Sequence, residues 1–144
     1  MPPLGARPRW GAAYGKAKER MVADEIYYDK KDQLAIVQGS LLPDETVFAV
    51  YDGKDVGTGF IGLTNMRVIL QDNSFAGGKV AVTSVPYNKI TAVSYASNAS
   101  VFGRFTEETT VAIHTSHGTY EILLRGSDKA KHTHDVILHY IVHS

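Results

Sequence analysis

The chain has 144 residues with 15 basic and 15 acidic side chains, zero formal net charge, 44% hydrophobic residues and no cysteine. That length suits one compact core, the composition is that of a globular protein, and the lack of cysteine excludes a disulfide framework, a zinc–thiolate site and a cysteine nucleophile. Charge is unevenly placed: residues 1–20 hold Arg7, Arg9, Lys16, Lys18 and Arg20 against Glu19, net +4, so the rest of the chain carries −4.

The N-terminal stretch "MPPLGARPRWGAAYGKAKER" has no apolar run of signal-peptide length, and nowhere do about 18 apolar residues follow one another, so the expectation is a cytoplasmic chain. Pro2, Pro3, Gly5, Pro8, Gly11 and Gly15 mark an irregular start. Helix formers dominate from about Lys16 to Gln38, with Met21, Val22, Ile26, Leu34, Ile36 and Val37 as the apolar positions and "YYDKKDQ" as a break; this predicts one interrupted helix or two short ones. Pro43 and Asp44 in "LLPDETV" end that region. Residues 1–40 are thus read as a basic arm and helical lead-in, and 41–144 as the domain proper.

After Pro43 the period changes to two. Strands are predicted over Thr46–Tyr51, Thr58–Leu63, Met66–Gln71, Lys79–Val85, Ile90–Ala96, Thr109–Thr115 and Thr119–Arg125, separated by turn-forming stretches such as "DGKDVG", "DNSFAGG", "PYNK" and "SHG". In the third, Met66, Val68 and Leu70 share one face while Arg67, Ile69 and Gln71 share the other. Ser127 is the expected N-cap of a final amphipathic helix running to about Val142. Its apolar side gathers Ala130, Thr133, Ile137, Tyr140 and Ile141, with His132, Asp135, His139 and His143 opposite.

Seven short antiparallel strands followed by one helix is the element order of a pleckstrin-homology fold, in which the C-terminal helix plugs the open corner of a bent, seven-stranded sandwich or barrel. The segments "GFIGLTNMRVILQD", "GGKVAVTSVPYNKITAVSY" and "YEILLRGSDKAKHTHDVILHYI" carry a closer resemblance. They resemble the bacterial pleckstrin-homology-like family, with Thr64, Asn65, Met66 and Arg67 in the place of its Thr-Asn-x-Arg turn and Ser84 to Ile90 in the place of its Ser-[Ile/Val]-Pro-Tyr-x-x-Ile element. The likeness runs from about Leu41 to Ile141. It implies a mainly β domain with a helical N-terminal extension, and, since relatives are similar to ring-forming homo-oligomers that touch through sheet edges, a self-associating module.

Physically, Asn65 suits a left-handed position at a hairpin tip and Thr64 can bond the local backbone. Arg67 can pair with Asp52 or Glu45, or it can meet an anion. A polyanionic headgroup would find only Lys54, between Asp52 and Asp55, and then Arg67 on the first hairpin, so lipid binding there is disfavoured. Pro86 ends a strand and Tyr87 packs.

No pattern for catalysis emerges: "GTGFIG" leads into a strand instead of a helix, there is no GxSxG elbow, and no cofactor is implied. His139 and His143 have the i, i+4 spacing that can chelate a metal, but an HExxH pattern is absent and outward-facing helical histidines are ordinarily solvated, so no metal is expected. His114 and His117, three apart around a turn, form no site.

The reading is a non-enzymatic interaction module that self-associates into a homo-oligomeric, ring-like scaffold, with another protein as a further partner. The alternative is a peripheral binder of membrane or nucleic-acid surfaces through the basic, aromatic arm. A charged or protein partner would then meet Arg7, Arg9, Trp10, Lys16, Lys18, Arg20, Lys54 and Arg67, with Tyr14 beside them.

Overall fold

A computed structural model describes residues 26–54, 58–72, 80–99 and 105–144. In chain order the elements are β1 (Tyr27–Tyr28), α1 (Lys31–Gln38), β2 (Val47–Asp52), β3 (Thr58–Thr64), β4 (Arg67–Asp72), β5 (Ala81–Pro86), a 3₁₀ turn (Tyr87–Lys89), β6 (Ile90–Ala99), β7 (Phe105–Thr115), β8 (Gly118–Arg125) and α2 (Ser127–Val142). All seven expected strands are present, their ends mostly moved by a residue or two. Two sheets result, ordered β1-β2-β3-β4-β5 and β6-β7-β8.

The strands alternate as their period-two pattern requires, and their inner faces meet. Ala49, Tyr51, Ile61, Leu63, Val68 and Leu70 from the first sheet pack with Val111, Ile113, Ile122 and Leu124 from the second. One corner is stitched by an antiparallel bridge between Gly53 and Leu124 and by the Lys54 N–H donating to the Leu123 carbonyl at 2.8 Å. At another corner the Tyr87–Lys89 turn carries the chain from β5 into β6.

Helix α2 closes the remaining opening by adding Ala130, Val136 and Ile137 to the same core, all fully buried. Two expectations about this helix are corrected. Gly126, at φ 133°, occupies the N-cap position and Ser127 is the first helical residue. The reason is the sharp exit from β8, which needs a left-handed backbone that serine adopts poorly. His132, expected in solvent, is fully buried, and its Nδ1 lies 2.6 Å from the Tyr51 hydroxyl. The helix sinks into the corner deeply enough to bury a wider arc of its circumference than its apolar residues mark, and Tyr27 and Tyr51 enclose the imidazole edge to face.

The lead-in also differs from a plain helix. Tyr27 and Tyr28 form an eighth, two-residue strand parallel to β2, paired with Ala49 and Val50, and the helix begins only at Lys31. Backbone pairing with an available edge overrides the helical propensity of the surrounding residues. Residues 16–25 of the predicted helical run lie outside the described residues.

The second face of the first sheet is covered as well. Val37 from α1 packs against Val47, Val50, Phe60 and Ile69, with Ile26, Leu34 and Leu41 at the margin. Ile69, placed by alternation on the face opposite Val68 and Leu70, is therefore buried too, and β2 is buried along its entire length. α1 thus lies over the domain. Gly62 permits the close approach, since a Cβ there would stand 3.1 Å from a Val37 methyl group.

Candidate functional site

The Thr64-Asn65-Met66-Arg67 turn joins β3 to β4, and the side chains of Thr64, Asn65 and Arg67 enter a polar knot at the foot of α1. The Arg67 guanidinium grips Glu45 with two nitrogens, Nε to Oε2 and Nη2 to Oε1, both at 2.9 Å. Its remaining donors go to the Ser84 hydroxyl at 2.8 Å and the Ser40 carbonyl at 2.6 Å. Of the two carboxylates that the sequence offered it, Glu45 is the partner.

Glu45 is enclosed on every side, its side chain having no exposed surface. Besides Arg67 it accepts the Leu42 N–H at 2.8 Å and the Thr64 hydroxyl at 2.7 Å. Burial alone would raise its pKa, but the hydrogen bonds from Arg67, Leu42 and Thr64, together with the arginine's charge, hold it below the ordinary value. The same Thr64 oxygen accepts the N–H groups of Met66 and Arg67, each at 3.0 Å, so the turn's backbone is satisfied as well. Tyr87, from the second motif, donates its hydroxyl to the Thr64 carbonyl at 2.6 Å. Its ionisation is pushed well above the usual range by burial first, then by Tyr140 and the Glu45 charge.

Asn65 departs from expectation. Among the described residues the positive-φ position outside glycine is Asp44, at 65°. Asn65 instead uses its side chain as a strap, accepting the Thr46 N–H through Oδ1 at 2.8 Å and donating from Nδ2 to the Asp44 carbonyl at 3.2 Å. The strained residue is the neighbour that asparagine holds. Together the two motifs clamp the Gly39–Thr46 connection, and so fix where α1 lies. The two motifs fasten the lead-in to the sandwich.

Lys54 sits at the start of the β2–β3 loop and pairs with Glu108 on β7, both half-exposed. Asp52 next to it is nearly buried and engages Gln33 at 2.7 Å, Arg125 at 3.3 Å and Lys30 at 3.4 Å. Asp29 extends this network, bonding Lys129 at 2.7 Å and the Asp52 N–H at 2.9 Å. Sequence reading missed this cluster because Gln33, Asp52 and Arg125 are far apart in the chain and fit no spacing rule; the lone sign was an acid ending an otherwise apolar strand.

Arg7, Arg9, Trp10, Tyr14, Lys16, Lys18 and Arg20 lie outside the described residues. The structure thus separates Lys54 from Arg67, each with its own carboxylate, and brings neither into a cationic patch among the described residues.

The histidines are dispersed. His114 lies between Ser94, at 3.3 Å, and Thr119, at 3.1 Å, while His117 is in the β7–β8 turn. His134 contacts Asp135 at 2.9 Å and the Tyr95 ring. His139 and His143 stack at the end of α2, with ring centroids 4.3 Å apart. No cluster of three or more metal-ligating side chains occurs among the described residues, nor does any helix there have the length and apolarity to cross a membrane.

What the surface does offer is edge. β5 and β6 terminate their sheets, and no further strand pairs with either among the described residues. Val80, 56% exposed, and Val82, 48% exposed, leave apolar surface along β5, and Tyr95 does so on β6.

Comparison with known proteins agrees with this architecture. No curated protein matches the chain. Among solved structures, it is similar to a pleckstrin homology domain from Shewanella amazonensis, with a TM-score of 0.57, 21% identity and coverage of 79% of this chain and 99% of that one. It is also similar to a DUF1696 family protein with a pleckstrin-homology domain from Shewanella loihica, with a TM-score of 0.56, 20% identity and coverage of 78% and 94%. At those identities the likeness speaks for the fold. A family model described as a bacterial PH domain matches residues 41–138, the span that holds both fastening motifs, strands β2 to β8 and most of the plugging helix, and the chain accordingly belongs to the bacterial PH domain family.

Proposed function

We propose that this PH-like domain is a non-catalytic interaction module that self-associates through its sheet edges into a homo-oligomeric, ring-like scaffold. The observation that supports the reading is the chemistry of two of the terminal strands, β5 and β6. β5, "AVTSVP", and β6, "ITAVSYASNA", contain no charged residue. Proteins that keep sheet edges apart commonly place lysine, proline or inward-pointing charge on them. Among the described residues the protection on β5 is Pro86 at its very end, and in this reading the rest of the strand pairs with another copy. An edge meeting a different edge is a heterologous contact, which closes into a ring when the rotation per subunit divides a full turn.

Light scattering on the intact protein, at concentrations on the order of tens of micromolar, should give a mass several times that of one chain. Val82→Lys and Ala92→Lys put charge on the two edges and should each shift the particle toward monomer while the far-UV spectrum stays unchanged. A strict monomer for the unaltered protein ends this reading.

A second reading rests on the +4 charge of residues 1–20, where Trp10 and Tyr14 accompany the cations. Such an arm suits a peripheral contact with an anionic surface, and a ring would present several weak arms at once. Removing residues 1–20 should abolish co-sedimentation with anionic vesicles or retention on nucleic acid. Retention that survives the deletion, or no binding by the intact chain, counts against it.

A further inference from the structure

We propose that the lead-in, β1 with α1, is a hinged cover that opens as a unit about the Gly39–Ser40 joint while the sandwich stays folded, uncovering an apolar face of the first sheet. The two ends of this segment are fastened very differently. From Ser40 onward the chain is tied to the body: Arg67 donates to the Ser40 carbonyl at 2.6 Å, the Leu42 N–H donates to Glu45 at 2.8 Å, and Asn65 straps Thr46 and Asp44. Gly39 stands between those ties and Gln38, the last residue of α1. Hinges commonly form at element ends of this kind.

Ahead of the joint the grip is slight. α1 has eight residues and buries two of them, Gln33 and Val37, whereas α2 buries five of its sixteen. A lone helix of fewer than about 12–15 residues is marginal in water, so α1 keeps its shape only while docked. Lys30 at its N-cap makes no side-chain capping bond, and β1 adds just two residues of strand. One of the two buried side chains is poorly served. Gln33 donates its amide hydrogens to Asp52 at 2.7 Å and to the Gly59 carbonyl at 3.2 Å, but its Oε1 is sealed from water and meets no hydrogen-bond donor among the described residues. Lifting the cover lets water satisfy that acceptor, so closure carries a penalty that opening removes.

The other polar ties are ionic and open to replacement by water. Asp29, its side chain 21% exposed, holds Lys129 at 2.7 Å and accepts the Asp52 N–H at 2.9 Å. Lys30, 55% exposed, lies 3.4 Å from Asp52. When the cover lifts, Asp52 keeps Arg125 at 3.3 Å, so no charge is stranded unpaired in the interior. Opposing the opening are Val37, packed on Val47, Val50, Phe60 and Ile69, and the Tyr27 ring set against His132. That is far less apolar contact than joins the two sheets and α2, so the cover opens at a lower free energy than the sandwich unfolds. The open form presents those four apolar side chains and the flank of β2 that β1 occupies.

Native-state hydrogen exchange on the full-length protein at neutral pH tests this. The Leu34 amide, bonded to the Lys30 carbonyl, and the Asp29 amide, bonded to the Val50 carbonyl, should exchange together. Their exchange should be about 100-fold or more faster than that of the slowest amides in β7 and β8, and dilute urea should accelerate it little, because opening exposes a small surface. The Thr46 amide, bonded to Asn65, should exchange with the body. Ile122→Val trims the core in β8 and should speed the β7 and β8 amides by about twofold to tenfold, leaving the lead-in unchanged since open and closed forms share that contact. Asp29→Ala should speed the lead-in by about fivefold or more. Lead-in amides that match β7 and β8 in rate and urea dependence, that accelerate with them in I122V, or that ignore D29A would each overturn the proposal, as would Thr46 exchanging with the lead-in. β5 and β6 take no part, so the result stands apart from self-association.

Discussion

Arg67→Ala should destabilise the folded chain by about 3–5 kcal/mol, because it leaves Glu45 as a charge sealed from water without its counter-ion. The guanidinium is itself 15% exposed, which places the expectation toward the lower end of that range. Two further interactions fail with it: the Ser84 hydroxyl loses a partner, and the Ser40 carbonyl loses a donor that straps the Gly39–Thr46 connection. Urea unfolding should report the loss as a lower midpoint, and the inward positioning of Val37 should relax, raising hydrogen exchange along α1. Arg67→Lys is not a conservative rescue, since an ammonium cannot reproduce the two parallel bonds to Glu45. Combining Arg67→Ala with Glu45→Gln should recover part of the stability, because a neutral amide tolerates burial far better than an unpaired carboxylate. Equal midpoints for Arg67→Ala and the unaltered protein would show the knot to be incidental.

The pair also dictates a pH dependence. Glu45 has its folded pKa depressed below the ordinary value of 4.5. Its contribution is therefore present above the unfolded pKa, and is lost as the pH falls from there through the folded value, where the folded chain must take up a proton it binds poorly. Stability should decline on acidification below about pH 4.5, and the decline should flatten in Glu45→Gln, a difference that urea midpoints across the acid range would display.

Ile137→Ala is the second large effect, with an expected cost of about 2–5 kcal/mol. Ile137 is fully buried among the core residues that α2 presses against both sheets. Truncation opens a cavity at the junction of three elements, where no single element can move to fill it without unseating the others. Leu138, the next residue, is 43% exposed, and Leu138→Ala should change stability by only about 0.5 kcal/mol or less. The contrast between adjacent positions distinguishes a helix that plugs the sandwich from one that merely rests beside it. Similar midpoints for the two variants would contradict the architecture.

Much of this was legible in the chain. Alternating residues after Pro43 marked all seven long strands because a half-buried strand has to alternate, and the apolar stripe of Ala130, Ile137 and Ile141 marked the plugging helix because a helix packed on one side has to repeat near 3.6. The separated motifs around Thr64 and Tyr87 carried the family. The distribution of charge along the chain was equally plain, and so was the possibility of a pairing between Arg67 and Glu45.

Other features depended on which surfaces came together. Ile69 is buried only because α1 crosses the outer face of its sheet, and no periodicity within β4 contains that fact. His132 is buried because the helix sinks between Tyr27 and Tyr51, and Tyr27 turned from helix to strand because the edge of β2 was there to receive it. The left-handed position passed from Asn65 to Asp44 because the asparagine amide was needed as a strap across the connection. Sequence by itself determined the elements and the faces they bury, since these follow from local periodicity and backbone preference. Tertiary structure alone decided which second surface covers each face and which acid meets which base, because those depend on residues tens of positions apart arriving within about 3 Å, the reach of a hydrogen bond.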